Sequence, residues 1–161
     1  MVMPFNADEV FEMAEQIERN GSIFYRAAAE KFPAMSEILL GLAKMEDEHQ
    51  RTFANMRADL SGTEVEETVF DPDDQAQMYL RVMADGNVCD TKADPVDKLA
   101  DCQTAQDVLN VAIGLEKDSI AFYVGLQASI SPRPGKDEVG SLISEEIKHI
   151  ALLSEKLDAL Q

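Results

Sequence analysis

The two histidines of the chain each stand three residues after a glutamate, in Glu46-x-x-His49 and Glu146-x-x-His149. Three residues of α-helix advance the chain by about 300° and about 4.5 Å, so both side chains of a pair project from one face. A carboxylate and an imidazole on one face can bind neighbouring points of a metal site. One such pair would be weak evidence in a chain with 16 glutamates, but both histidines share the spacing.

Two further glutamates, Glu18 and Glu116, extend this pattern. Each lies on an apolar helix face, seven residues before a tyrosine and 28 or 30 residues before the glutamate of a Glu-x-x-His pair. Four-helix bundles hold two metal ions with one glutamate from each of two helices and a Glu-x-x-His pair from each of the other two. The predicted metal ligands, which would take part in catalysis through the metals, are Glu18, Glu46, His49, Glu116, Glu146 and His149.

The energy of burial also favours bound cations at this set. Each of four carboxylates in a bundle core would cost several kcal/mol if its charge were uncompensated. The sum of the four costs exceeds a typical protein stability of about 5–15 kcal/mol. Two divalent cations would neutralise the four charges. Carboxylate and imidazole ligands suit iron or manganese, and zinc is a possible substitute.

The remaining carboxylates and the tyrosines have other interpretations. Single glutamates on helices are usually solvated, which is the expectation for Glu9, Glu12, Glu30, Glu37 and Glu155. Three others would replace a predicted ligand if the helix register shifts, namely Glu15, Glu48 and Glu145. Tyr25 and Tyr123 are interpreted as core aromatics or, alternatively, as residues whose hydroxyls hydrogen-bond to ligand carboxylates.

Hydrophobic periodicity predicts four long helices that position these residues. They cover residues 7–31, 36–59, a segment that begins after Thr104 and ends before Pro132, and residues 136–160. Asn6 with Glu9, and Thr104 with Asp107, have the spacing of helix-capping pairs. The fold class predicted is therefore all-α, with residues 1–161 forming a single domain.

Residues 60–104 are too long for a tight turn and are interpreted as a crossover between the second and third helices. A short helix is predicted over residues 73–85, ended by Gly86, and residues 89–100 are expected to be irregular with a short turn after Pro95. A crossover of this length would allow the second and third helices to run parallel.

The two halves of the sequence resemble each other. The segment 18–25 matches 116–123 at an offset of 98, and 46–49 matches 146–149 at an offset of 100. Duplication of one helical hairpin explains both matches.

The composition excludes several classes of protein. A formal charge of −17 argues against binding to nucleic acid phosphates or an anionic membrane. The sequence has no apolar run that could span a bilayer, no phosphate-binding glycine motif and no recognisable signal peptide. A cytoplasmic protein is therefore expected.

The two cysteines, Cys89 and Cys102, cannot form a four-thiolate metal site, and a disulfide between them is only weakly supported.

The residues Glu18 with Glu46-x-x-His49, and Glu116 with Glu146-x-x-His149, resemble the ferritin-like domain of rubrerythrins across the four long helices. The resemblance implies a ferritin-like four-helix bundle in which Glu46 and Glu146 bridge or chelate two irons. Glu18 and Glu116 would be terminal carboxylates, and each histidine would cap one iron. The implied activity is reduction of peroxide or dioxygen, or oxidation of Fe(II), and a homodimer is also implied.

Two departures from the rubrerythrin pattern affect electron supply and ligation. The chain lacks the four cysteines of a rubredoxin-type iron site, so the electron donor would be a separate rubredoxin-like protein or another molecule. Ser119 stands where rubrerythrins usually have a further carboxylate. The same ligands would also suit a non-catalytic metal-binding protein, for iron storage or a structural zinc.

A third interpretation is a helical interaction protein. Residues 59–107 contain 13 acidic and 3 basic side chains, which leaves a charge of −10 on the crossover region. A basic partner could dock there. This interpretation leaves the spacing of the two histidines unexplained.

Overall fold

A computed structural model describes residues 5–60, 73–84, 91–130 and 135–161, and it is helical as predicted. The long helices are α1 (Ala7–Lys31), α2 (Ser36–Ala58), α4 (Ala105–Ser129) and α5 (Gly135–Asp158). A short helix, α3 (Gln75–Val82), lies in the connection between α2 and α4. Short 3-10 turns occupy Pro33–Met35 and Asp97–Leu99, the second being the turn expected after Pro95. The predicted bounds of the four long helices agree with the structure to within two residues.

The predicted bounds of the crossover helix were too wide. Residues 73–85 were expected to be helical, but α3 begins at Gln75 because Asp74 has a φ of 56°, in the left-handed region that a right-handed helix excludes. Residue 85 and the predicted terminator Gly86 lie outside the described residues.

Reciprocal capping boxes begin the two helices that carry Glu18 and Glu116. The Asn6 side chain accepts a hydrogen bond from the Glu9 N–H at 2.8 Å, and the Glu9 carboxylate accepts one from the Asn6 N–H at 2.9 Å. Thr104 and Asp107 make the same pair of bonds at the start of α4. Each cap satisfies backbone donors that would otherwise lack partners, which typically stabilises a helix by about 1 kcal/mol.

The directions of the helices follow from which residues meet. Arg57 near the end of α2 pairs with Asp8 near the start of α1 at 2.7 Å, so α1 and α2 are antiparallel. Midway along the same pair, Arg26 of α1 contacts Asp47 of α2 at 2.6 Å.

Helices α1 and α4 are antiparallel as well. Tyr25 of α1 hydrogen-bonds to Glu116 of α4, while Tyr123 of α4 hydrogen-bonds to Glu18 of α1. Because α2 and α4 both run opposite to α1, they are parallel to each other, as the length of the crossover predicted.

The apolar core is divided into two clusters at opposite ends of the bundle. One contains Phe24, Leu39, Leu109 and Leu153, and the other contains Phe11, Phe53, Leu80, Phe122 and Leu142. Each cluster draws on both helical hairpins, so burial of apolar surface holds the hairpins together at each end. Between the clusters lies a layer of buried polar residues.

Helix α3 is held against α4 by a close contact at Gly125. A Cβ atom at Gly125 would lie 2.4 Å from a ring carbon of Tyr79, and the Tyr79 hydroxyl donates to the Ala121 carbonyl. Gln77 also exchanges two hydrogen bonds, each of 3.0 Å, with the backbone of Phe5. The crossover is therefore attached both to α4 and to the segment that precedes α1.

The contact at Gly125 predicts opposite effects for two Gly→Ala substitutions in α4. Gly125→Ala should lower the free energy of unfolding by about 1–3 kcal/mol, because the new methyl group would displace the ring of Tyr79. Gly114→Ala is the matched control, since no atom lies within 4 Å of the Cβ position there. It should raise stability by about 0.5–1 kcal/mol through helix propensity. Urea denaturation of both variants measures the difference, and equal stabilisation would contradict the contact.

Candidate metal centre

The polar layer between the two apolar clusters consists of the six predicted ligands together with nearby polar groups. Helix α1 contributes Glu18 and α4 contributes Glu116, whereas α2 and α5 each contribute one Glu-x-x-His pair. All six residues are buried, and none is more than 3% exposed. The structure therefore brings together residues that are up to 131 positions apart in the sequence.

These residues form two overlapping groups that are suited to two metal ions. One group is Glu18, Glu46, His49 and Glu146, and the other is Glu46, Glu116, Glu146 and His149. Within each group the possible ligand atoms lie within 4.8 Å of one another. Glu46 and Glu146 belong to both groups, so their carboxylates lie between the two positions.

The two imidazoles face the carboxylates with the same ring nitrogen. His49 Nδ1 is 2.9 Å from Glu146 and 3.6 Å from Glu18. His149 Nδ1 is 3.0 Å from Glu146, 3.3 Å from Glu46 and 3.6 Å from Glu116. The rings are stacked, with centroids 5.4 Å apart and an angle of 12° between planes. The two hairpins thus present their histidines in nearly equivalent orientations.

Both tyrosines hydrogen-bond to carboxylates of the cluster. The Tyr25 hydroxyl donates to Glu116, and the Tyr123 hydroxyl donates to Glu18, each across the interface between α1 and α4. Burial and nearby carboxylates raise the pKa of both phenols well above the usual value, so both remain donors. Each bond can orient the terminal carboxylate of one group.

Burial changes the protonation of the cluster when no cation is bound. Burial and the charge of Glu18 raise the pKa of Glu46 well above its usual range, and burial raises the pKa of Glu116 to about 8. Burial disfavours a charged imidazole, but hydrogen bonds to Glu146 and Glu18 outweigh it and raise the pKa of His49 to about 11. The metal-free cluster therefore reduces its charge by retaining protons.

Several atoms at the centre make no hydrogen bond of acceptable geometry with the described residues, although His149 Nδ1 lies 3.0 Å from Glu146 Oε2 and 3.3 Å from Glu46 Oε1. They are Glu18 Oε2, Glu46 Oε1, Glu146 Oε2, and both ring nitrogens of His149. Leaving a buried polar atom unsatisfied costs about 1–3 kcal/mol, and all but one of these atoms face the cluster as possible ligands. A carboxylate and imidazole donor set of this kind fits iron, manganese or zinc. The cluster is therefore able to bind metal.

The alternative glutamates lie outside both groups. Glu48 is exposed, and Glu15 is 3.5 Å from Arg57. Glu145 contacts His49 from the outer side, with its Oε2 2.7 Å from His49 Nε2. The position of Glu145 in the sequence gave no indication that its carboxylate would contact His49. The five glutamates expected to be solvated, at positions 9, 12, 30, 37 and 155, are all exposed.

A pocket that the sequence did not predict reaches the cluster between α1 and α4. Its volume is about 70 Å³, and Glu46, Glu116 and Tyr25 form part of its wall. Gly21 contributes to the same wall, and a Cβ atom there would lie 3.0 Å from Glu46 Oε2. The absence of a side chain at Gly21 therefore leaves room for this carboxylate.

The described ranges contain no helix that is long and apolar enough to cross a membrane. A scan against protein-family models and a search of curated protein sequences found no match.

Among solved structures, the chain is similar to a proposed ferritin-like diiron-carboxylate protein from Thermotoga maritima. The identity is 22%, the TM-score is 0.72, and the alignment covers 100% of both chains. At this identity the similarity establishes the fold, while the metal named for that protein is a property of that protein. The predicted fold class is confirmed: the chain has a ferritin-like, all-helical fold.

Proposed function

We propose that this chain is a di-iron carboxylate protein of the rubrerythrin type, which reduces peroxide or dioxygen or oxidises Fe(II). The observation that carries the proposal is the pair of buried ligand groups that share Glu46 and Glu146. Two shared carboxylates between two histidines provide a site for two ions rather than one. The ferritin-like fold supports the same proposal.

The proposed ligand roles follow from membership of the groups. Glu46 and Glu146 would lie between the two irons, Glu18 and His49 would hold one iron, and Glu116 and His149 would hold the other. When bound, two Fe(II) ions supply the two electrons that reduce hydrogen peroxide, with two protons, to two molecules of water. The chain's own contribution is ligand charge, orientation by Tyr25 and Tyr123, and apolar clusters that limit access of water.

The electrons needed for repeated turnover would come from a separate donor. Cys102 is a buried free thiol, and Cys89 lies outside the described residues. Two cysteines in the whole chain cannot form a four-thiolate relay. We therefore propose a rubredoxin-like protein or a small molecule as the donor.

Metal binding should stabilise the fold. Anaerobic Mn(II) at about 100 times its dissociation constant contributes about 2.7 kcal/mol per site, which corresponds to a rise in Tm of roughly 5–10 °C for each site that is filled in a chain of this size. A chelator should reverse the rise, and Glu46→Gln should abolish most of it. Glu37→Gln is the control, because Glu37 is exposed on the same helix. Thermal melts with and without Mn(II) test this, and an unchanged Tm in the wild-type protein would contradict metal binding.

Metal affinity should also rise with pH. The pKa of Glu116 is raised to about 8 and that of His149 to about 9, so both groups hold protons near neutral pH that an incoming cation must displace. As pH rises from 6 to 8, protons compete less, and affinity should increase about tenfold per unit for each proton displaced. Competition with a chromophoric chelator at three pH values measures the slope. Glu116→Gln should reduce it, and a pH-independent affinity would oppose the prediction.

The redox step is tested by mixing the anaerobic Fe(II)-loaded protein with peroxide in a stopped-flow spectrophotometer. We expect a ferric absorption band to develop with two electrons consumed per protein. Glu46→Ala should lower the rate at least about a hundredfold, whereas Glu37→Gln should not change it. Tight iron binding without this absorbance change would support the non-catalytic alternative, in which the same ligands store iron or hold zinc.

A further inference from the structure

The pocket beside the metal centre extends from the surface to one end of the cluster. Residues 91–98 of the crossover cover it, and Ala93, Asp94 and Lys98 are exposed at its outer side. Its inner wall includes the buried carboxylates of Glu46 and Glu116. The pocket thus connects solvent with carboxylates of the group that contains His149.

The wall of this pocket includes the terminal carboxylate of one group and not that of the other. Glu116, the terminal carboxylate of one group, forms part of its wall, whereas Glu18, its counterpart in the other group, does not. Glu18 is also completely buried. Although the hairpins resemble each other in sequence, the described residues 91–98 of the crossover lie on the side of their interface that holds Glu116, so the two ends of the cluster have different surroundings.

The outer nitrogens of the histidines also differ. His49 Nε2 lies 2.7 Å from Glu145, whose carboxylate is half exposed. His149 Nε2 is buried and has no hydrogen-bond partner among the described residues. At the offset of 100 that relates the two Glu-x-x-His pairs, the counterpart of Glu145 is Met45, which cannot accept such a bond. Within the described ranges, a carboxylate therefore contacts the outer nitrogen of His49 and none contacts that of His149.

A carboxylate that hydrogen-bonds to the outer ring nitrogen of a ligand histidine fixes the tautomer of the ring. It also makes the other ring nitrogen a stronger metal ligand. Loss of such a partner typically lowers metal affinity by 10- to 100-fold. Glu145 is thus a positioning residue that acts through His49 Nε2 and leaves Nδ1 directed at the cluster. In the part of the chain that the structure describes, no carboxylate supports His149 in the same way.

We propose that the two metal positions have different roles, an inference that rests on the proposed di-metal function. The position at Glu18 and His49, supported by Glu145, is the tight and enclosed one. The position at Glu116 and His149 is the weaker one, and it receives the small reactant through the pocket. A volume of about 70 Å³ admits a few water-sized groups, so the reactant is a small molecule such as peroxide or dioxygen.

The unequal metal affinity of the two positions is tested by supplying too little metal to fill both and finding which position it occupies. Crystals grown with one equivalent of Co(II) should show, in an anomalous difference map, at least about tenfold higher occupancy at the Glu18–His49 position. Glu145→Met, which copies the residue of the other hairpin, should make the occupancies nearly equal. Glu145→Gln keeps a hydrogen-bond acceptor and should give an intermediate ratio. Glu155→Gln, an exposed change on the same helix, should leave the wild-type preference intact.

Access through the pocket is tested with nitric oxide as a neutral probe of the anaerobic Fe(II)-loaded protein. Ser119 lines the pocket, so Ser119→Leu should slow binding of nitric oxide at least tenfold, while Ser119→Ala should not. Ala93→Phe, at the exposed outer side, should slow binding as well and does not depend on repacking the interior. Equal rates in all four proteins would overturn the assignment of the pocket as the entry route.

The outcomes separate this inference from the function on which it rests. If the wild-type protein binds no Co(II) at the cluster, the proposed di-metal function fails. If it binds two ions with equal occupancy at one equivalent, or fills the Glu116–His149 position first, the function stands and the inequality of the positions is wrong.

Discussion

The carboxylates of Glu18, Glu46, Glu116 and Glu146 form two overlapping groups in the middle of an apolar bundle, where burial leaves little water to screen their charges. The rest of the structure accommodates this constraint. Two histidines and two tyrosine hydroxyls approach the carboxylates, and three carboxylate oxygens still have no hydrogen-bond partner within the described ranges. Protons can reduce the charge in the metal-free state, and bound cations would take the remaining oxygens as ligands.

The topology follows from the need to gather these groups from four helices. Each hairpin supplies one glutamate and one Glu-x-x-His pair, and the hairpins meet with α1 antiparallel to α4. The chain must therefore travel the length of the bundle between α2 and α4. The crossover that does so also covers one side of the interface, and in this way a nearly symmetric ligand set acquires an asymmetric environment.

The parts of the structure that depend on local chemistry were predictable from the sequence. Asn6 and Glu9 cap α1 because both partners lie within one turn, and Glu46 and His49 share a face because helical geometry places them there. The contact between Glu145 and His49 was not predictable, since it depends on the rotation of α5 relative to α2. The pocket likewise depends on where the crossover lies, which no periodicity in residues 60–104 specifies. The beginning of α3 was missed because an aspartate can adopt either a helical or a left-handed conformation.

The division of the apolar core into two clusters has a consequence for cooperativity. Each end of the bundle has its own set of buried aromatic and aliphatic side chains, and the two sets are separated by charged groups that repel one another. Without cations, we expect the layer between them to be the weakest part of the bundle, so that each end would open with its own free energy. With cations bound, ligands from all four helices would be tied to common ions, and we expect the two ends then to unfold as a single unit.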